Sequence, residues 1–380
     1  MKIATRTGAV AAAAVLALSL AACSAANEDT TESETADSTA TAAAEGDDAM
    51  ELSGNLQGAG ASSQESAMDA WRAGFQAEYA DVTVGYDPVG SGGGIEQFLA
   101  GAVPFAGSDG LLEAEEYDAA VDRCDGDAGA IHLPMYISPV AVIFNLEGID
   151  SINLDAATIA DIFDGNITTW DDDAIASQNE GVDLPGDTIT VVYRSDSSGT
   201  SENFTDYLEQ ASEGVWPYEA TKEFSTAADQ SVGADGTSAV VDTVSTTSGA
   251  IGYADASRAG DLGTVALLVG EEYVPYSAEA AANIVAASPL SEDANGENDL
   301  AYAIDRTTTD STAYPLTLVS YHIVCQQYDD ETERDLVIAF EKYVASAEGQ
   351  AAAAEAAGSA PLTDALTEQI TAILDEIAAA

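Results

Sequence analysis

The chain has 380 residues, of which 67 are acidic and 10 basic, giving a formal net charge of −57 at pH 7. A field of that sign repels nucleic acid and anionic lipid headgroups, which excludes both as partners, and any anion site must act through local dipoles. The length and the 46% hydrophobic content allow two domains with substantial cores.

Residues 1–22 read as a signal peptide: Lys2 and Arg6 form a basic start, Ala9 to Leu20 an apolar stretch too short to span a bilayer, and small residues follow. Leu20-Ala21-Ala22-Cys23 resembles the bacterial lipobox, which implies cleavage before Cys23 and lipid on its sulfur, holding the protein to the outer face of the cell membrane. Residues 23–50 continue as Ala, Thr, Ser, Glu and Asp without an aromatic residue, a composition that cannot bury a core and reads as a disordered acidic tether. From Leu52 onward, Ala67, Trp71, Phe75 and Tyr79 share one helical face. Val82 to Tyr86 reads as a strand and Ile95 to Ala100 as a helix. Pro139 to Phe144, Ile189 to Val192, Ala250 to Tyr253 and Leu318 to Val324 read as buried strands, and Glu331 to Ala347 and Leu362 to Ala379 as closing helices. Gly260 to Pro289 is weakly patterned, and Ser291 to Asp299 is an acidic surface loop. Strands alternating with helices predict an α/β fold. Beyond Cys23 two cysteines remain, Cys124 and Cys325. Outside the cytoplasm an even pair favours a disulfide over two separate buried thiols.

Tyr193 to Ser201, Tyr-Arg-Ser-Asp-Ser-Ser-Gly-Thr-Ser, lies between the Ile189 strand and a helix beginning near Glu202. A hydroxyl-rich turn at a helix N-terminus, carrying Arg194 in so acidic a chain, suits a small oxyanion. Gly58-Ala59-Gly60-Ala61-Ser62-Ser63 and Gly90-Ser91-Gly92-Gly93-Gly94 are two further Gly/Ser turns, each expected to open a helix, and Phe105-Ala106-Gly107-Ser108-Asp109 ends a short run on a carboxylate. Each alone is more often only a cap, and Arg194 alone more often an ion-pair partner, for instance of Asp196, than a ligand contact. No Gly-x-Ser-x-Gly elbow accompanies them, the P-loop lysine is missing, and His132 and His322 sit in contexts that read as structural.

Taken in order, Gly-Ala-Gly-Ala-Ser, Gly-Ser-Gly-Gly-Gly, Gly-Ser-Asp and Arg-Ser-Asp-Ser-Ser-Gly-Thr-Ser resemble the phosphate-binding proteins of bacterial ABC importers, the PstS family. Ile167 to Asp172, Gly249 to Tyr253 and the hinge-like Tyr314 to Thr317 extend the likeness from about Leu52 to the C-terminus. The resemblance implies a two-domain, periplasmic-binding-protein-like α/β fold of type II, each domain a central sheet flanked by helices with the ligand in the cleft. Its domains would be 51–134 plus 317–380 and 135–316. It implies phosphate contacts from Ser62, the backbone of Ser63 (where the family often has Phe), Ser91, Asp109, Arg194, Ser198, Gly199 and Thr200, with Asp196 supporting Arg194. The implied role is a monomeric lipoprotein that passes inorganic phosphate to the permease subunits of an ABC importer, with no catalytic residue, metal or cofactor. A binding protein for sulfate or molybdate, a phosphatase-type enzyme and a solute-independent surface lipoprotein are the alternatives.

Overall fold

The stretch around Gly58 is a strand in its own right. The computed structural model describes residues 52–126 and 128–380. The expected signal peptide, the Cys23 lipidation site and the acidic tether lie outside the described residues. In chain order the first half of the elements is β1 (Gly54–Gly60), α1 (Glu65–Glu78), β2 (Val82–Asp87), α2 (Ser91–Leu99), β3 (Phe105–Ser108), α3 (Ala114–Arg123), β4 (Ala130–Phe144), β5 (Ser151–Leu154), α4 (Ala156–Phe163), α5 (Asp173–Ala176) and β6 (Thr190–Arg194). The remainder is α6 (Gly199–Ala211), β7 (Ser231–Ala234), α7 (Gly236–Thr246), β8 (Ala250–Asp255), β9 (Gly263–Val269), β10 (Glu272–Val274), α8 (Ala278–Ala287), β11 (Thr317–Cys325), α9 (Glu331–Ala345), α10 (Ala347–Ala357) and α11 (Asp364–Ala379).

β1 lies between β2 and β3 and pairs in parallel with both. Its glycines are there for room: a Cβ on Gly60 would stand 2.0 Å from the Gly107 carbonyl oxygen. Backbone pairing on both edges overrides the poor strand tendency of glycine, so the turn expected at Gly58–Gly60 begins only at Ala61. The second Gly/Ser run likewise forms the first turn of α2.

Among the described residues the strand order is β2-β1-β3-β11-β4-β8-β6-β7, with β9 joining β4 and carrying β5 and β10. β4 is buried along its whole length and joins the two halves of this sheet. Its residues up to Pro139 pair with β11, and those from Val140 pair with β8. Its two prolines fit because Pro134 stands at the register shift opposite Tyr321 and Pro139 at the change of partner, where a missing N–H breaks no regular ladder. Helices cover the sheet. Trp71 and Phe75 of α1, Phe98 of α2 and Phe340 of α9 are wholly buried against Phe105 and its neighbours.

Three sequence expectations change. Gly260 to Pro289 holds the β9–β10 hairpin and α8, whose Ala-rich composition carries little periodic contrast. The helix expected over Glu331–Ala347 breaks at Ser346, whose hydroxyl caps α10 by accepting from the Gly349 N–H at 3.1 Å. The strand expected at Pro139–Phe144 extends back to Ala130. Among the described residues no helix is long and apolar enough to cross a membrane.

Cys124, just past α3, is bridged to Cys325 at the end of β11, closing a loop across 201 positions of sequence. Replacing both cysteines by serine is expected to lower the unfolding free energy by about 2–5 kcal/mol, because the unbridged unfolded chain regains the entropy of that long loop. The denaturation midpoint measures it, and an unchanged midpoint would contradict a stabilising bridge.

Candidate anion-binding site

Two sets of parallel strands deliver the site. β1, β2 and β3 point their carboxyl ends at Ser62 and Ser63, at Ser91 and at Asp109. From the other half of the sheet, β6 ends in Arg194 and runs into α6 through Ser198, while β7 leads to Thr237. Loops leaving the carboxyl ends of parallel strands are where α/β sheets bind ligands, because helix N-termini begin there. All eight residues expected to contact an anion stand in this one place, and their side chains are almost completely buried.

Asp109 is the centre. Its Oδ1 accepts from the Ser63 hydroxyl at 2.6 Å and from the Ser320 hydroxyl at 2.5 Å, and its Oδ2 accepts from the Thr200 hydroxyl at 2.8 Å. Its own N–H donates to the Ser91 Oγ at 3.1 Å, and its carbonyl accepts from the Asn203 Nδ2 at 2.7 Å. A carboxylate offers roughly four lone-pair positions, and hydroxyls of the protein occupy three, leaving one on Oδ2.

Arg194 is almost fully buried and gripped in two-pronged fashion by Asp196, with Nε 2.6 Å from Oδ1 and Nη2 on Oδ2. Nη1 reaches the Thr237 hydroxyl at 3.4 Å. Of five guanidinium N–H groups, two remain for an anion among the described residues. Burial alone would raise the Asp196 carboxyl, but the hydrogen bond and charge of Arg194 and the Gly236 N–H outweigh it, so this acid sits below the usual carboxylate range. Ser62 faces Thr237, the two hydroxyl oxygens 2.9 Å apart.

At the start of α6, Ser198 caps the helix by accepting from the Ser201 N–H at 3.2 Å. The Gly199 and Thr200 N–H groups precede the first internal hydrogen bond of that helix. Gly199 is required by proximity, since a Cβ there would lie 2.6 Å from the Ser91 Oγ and 2.8 Å from the Asp109 Cβ.

The sequence reading missed Ser320 and Thr237. Thr237 follows Asp235-Gly236 at a strand-to-helix turn, so the criterion that found the other turns applied to it as well. Ser320 is a lone hydroxyl inside the apolar run Leu318 to Val324, and no local pattern marks it.

A family model described as a PBP superfamily domain matches residues 28–348. The chain is 35% identical over 295 residues to phosphate-binding protein PstS2 of Mycobacterium bovis (strain BCG / Pasteur 1173P2), covering 75% of this chain and 77% of the relative. It is 31% identical over 293 residues to phosphate-binding protein PstS of Xylella fastidiosa (strain 9a5c), covering 76% of each. Among solved structures, a high-affinity periplasmic phosphate-binding protein (PfluDING) bound with phosphate superposes with a TM-score of 0.65 at 24% identity, over 84% of this chain and 93% of that one. A phosphate-binding protein from Stenotrophomonas maltophilia gives 0.65 at 23%, over 84% and 94%. The α/β, type II, two-domain fold expected from the sequence is the fold of this chain.

Beside the site, Glu202 in the first turn of α6 turns its carboxyl toward Gly110. The stem keeps some exposure, but Oε2 is shut off from solvent and has no hydrogen-bond partner among the described residues. Burial pushes this acid up to about 7, opposed by Lys222 and reinforced by Asp206, Glu113 and Glu116. Burial likewise pushes Asp255 up to about 6, although its Oδ1 accepts from the Tyr136 hydroxyl at 2.9 Å. Both acids hold a proton more tightly folded than unfolded. The contribution of these two acids to stability is therefore full below the ordinary carboxylate range and is lost as pH rises through about 6 for Asp255 and about 7 for Glu202. Glu202→Gln is expected to flatten that decline and leave the variant more stable than the parent at pH 8, by about 1–3 kcal/mol. Unfolding midpoints from pH 4 to 8 measure this, and an unchanged slope would contradict the burial account.

Proposed function

The chain belongs to the PBP superfamily and, within it, to the PstS phosphate-binding proteins, and on that premise we propose that it captures inorganic phosphate outside the cytoplasm and delivers it to an ABC-type importer. It acts as a binding component and not as an enzyme. Cys23 carries its lipid anchor, the mature protein works as a monomer, and the importer's permease subunits receive the ligand. Phosphate sits between a domain of residues 51–134 plus 317–380 and a domain of residues 135–316. Ser62, the Ser63 backbone, Ser91, Asp109, Arg194, Ser198, Gly199 and Thr200 contact it, and Thr237 joins them.

The observation that carries the reading is the state of Asp109: a buried carboxylate saturated by hydroxyl donors except at one position. Phosphate near neutral pH carries one or two protons, so a P–OH group can donate to that position. Sulfate carries none and presents only lone pairs and like charge. A buried charged acceptor facing them costs at least about 1–3 kcal/mol, so the carboxylate discriminates by penalising the wrong ligand. Arg194, the remaining hydroxyls and the α6 N–H groups then replace the hydration that phosphate gives up. The pairing of Arg194 with Asp196 keeps the local charge of the site small, so the ligand's own charge is met mostly by dipoles.

Calorimetric titration of residues 51–380 is expected to show one phosphate bound per chain and no heat with sulfate. Asp109→Asn is expected to reduce the phosphate-over-sulfate preference by about 100-fold or more, because an amide can donate to sulfate. Heat with sulfate and none with phosphate in the parent protein would overturn the assignment, and unaltered preference in the variant would remove Asp109 from its role.

A further inference from the structure

Behind the Asp109 carboxylate runs a single file of buried side chains. Ser320 on β11 donates to Asp109 Oδ1 at 2.5 Å, and its oxygen accepts from the Gln64 Nε2 at 2.6 Å. Gln64 also donates to the Tyr321 carbonyl at 3.2 Å. A carbonyl can only accept, so the orientation of the amide is fixed: nitrogen toward Ser320 and Tyr321, oxygen toward His322. The Gln64 Oε1 lies 3.0 Å from the His322 Nε2, which must therefore carry a hydrogen. The other ring nitrogen, Nδ1, stands 2.5 Å from the Glu341 Oε2. Ser320, Gln64, His322 and Glu341 are all 0% exposed. The imidazole is walled by Trp71 edge-on at 5.7 Å, Phe105 at 5.3 Å and Phe340 stacked at 6.3 Å, so it cannot turn.

From Gln64 onward every link has one permitted direction. Whichever of Nδ1 and the Glu341 Oε2 holds the hydrogen between them, the Gln64 oxygen requires a hydrogen on Nε2. That hydrogen holds the Gln64 oxygen, which leaves the amide N–H for Ser320. A serine has one proton, and with its oxygen accepting from Gln64 that proton goes to Asp109. We propose that Ser320 is a selectivity-determining residue of this site, and that Glu341, His322 and Gln64 are positioning residues that lock its hydroxyl as a donor to Asp109, so that the carboxyl keeps only its accepting position on Oδ2 for a ligand. The inference rests on the phosphate reading above and deepens it. Without the file, the Ser320 hydroxyl could rotate, and Asp109 would lose a donor that holds Oδ1, leaving the carboxyl free to turn from the orientation in which Oδ2 accepts from a ligand hydroxyl.

The test measures phosphate and sulfate affinities of the parent, Ser320→Ala, Ser320→Thr and Gln64→Glu, with melting curves to establish folding. In Gln64→Glu a carboxylate faces Ser320 and draws its proton away from Asp109 without changing the serine. Ser320→Ala and Gln64→Glu are each expected to lower the phosphate-over-sulfate ratio by about tenfold or more, the loss of one charge-assisted hydrogen bond. Ser320→Thr, which retains the hydroxyl, is expected to restore the ratio to within about threefold of the parent. A ratio unchanged in Ser320→Ala overturns the proposal, as does a Ser320→Thr variant that loses as much as the alanine, since packing would then explain both. If Gln64→Glu does not fold, the alanine and threonine pair decides. A parent protein that binds no phosphate overturns the functional reading itself, whereas a parent that prefers phosphate alongside an unaffected alanine variant overturns this inference alone.

Discussion

One buried negative charge organises this protein. Asp109 is shielded from water in a chain that already carries a net charge of −57, and an uncompensated carboxylate in such a place would be protonated or would unfold the site. Hydroxyls from three separate parts of the chain donate to it: Ser63 after β1, Thr200 in the first turn of α6 and Ser320 in the middle of β11. Much of the local architecture follows from bringing those three to one carboxyl group. Thr200 can arrive only because residue 199 is glycine and lets α6 approach Ser91 and the Asp109 side chain. Ser63 arrives because β1 runs between β2 and β3 and releases the chain at Ala61. Ser320 arrives because β11 lies beside β3 in the sheet.

The positive side of the site is built with equal economy. Arg194 would be an unpaired buried cation but for Asp196, and Asp196 is itself held low in pKa by that partnership and by the Gly236 N–H. The same carboxylate thus ties the turn after β6 to the start of α7, next to Thr237. Attraction for anions is consequently local and modest. Selectivity has to come from which ligand oxygen carries a hydrogen, and that is decided at Asp109. Where burial outweighs the partners, at Glu202 and Asp255, the cost appears as raised pKa values and a contribution to stability that is lost as pH rises through about 6 and about 7.

Much of this was legible in the sequence because the functional turns obey local rules. Arg194 to Thr200, Ser91 and Asp109 each follow a strand and precede or cap a helix, and glycine and serine mark such places in any α/β chain. The strand at Gly58 was not legible, since what lets a seven-residue segment with three glycines pair there is contact with Phe105 and Gly107, distant in sequence. Ser320 was hidden for the same reason: a single serine in an apolar strand gains meaning only from Gln64 and Asp109 across the sheet. The break at Ser346 was hidden because the alanine-rich α10 follows α9 directly, and periodicity carries little contrast there.

Monofluorophosphate gives the most direct test. Near neutral pH it has the charge and nearly the shape of the doubly charged phosphate ion but fluorine in place of the hydroxyl, so it lacks the one hydrogen that Asp109 is arranged to accept. Competition calorimetry should find it excluded, like sulfate, at concentrations where phosphate saturates the protein. Monofluorophosphate binding with an affinity comparable to that of phosphate would contradict the account at its centre, because charge and shape would then suffice.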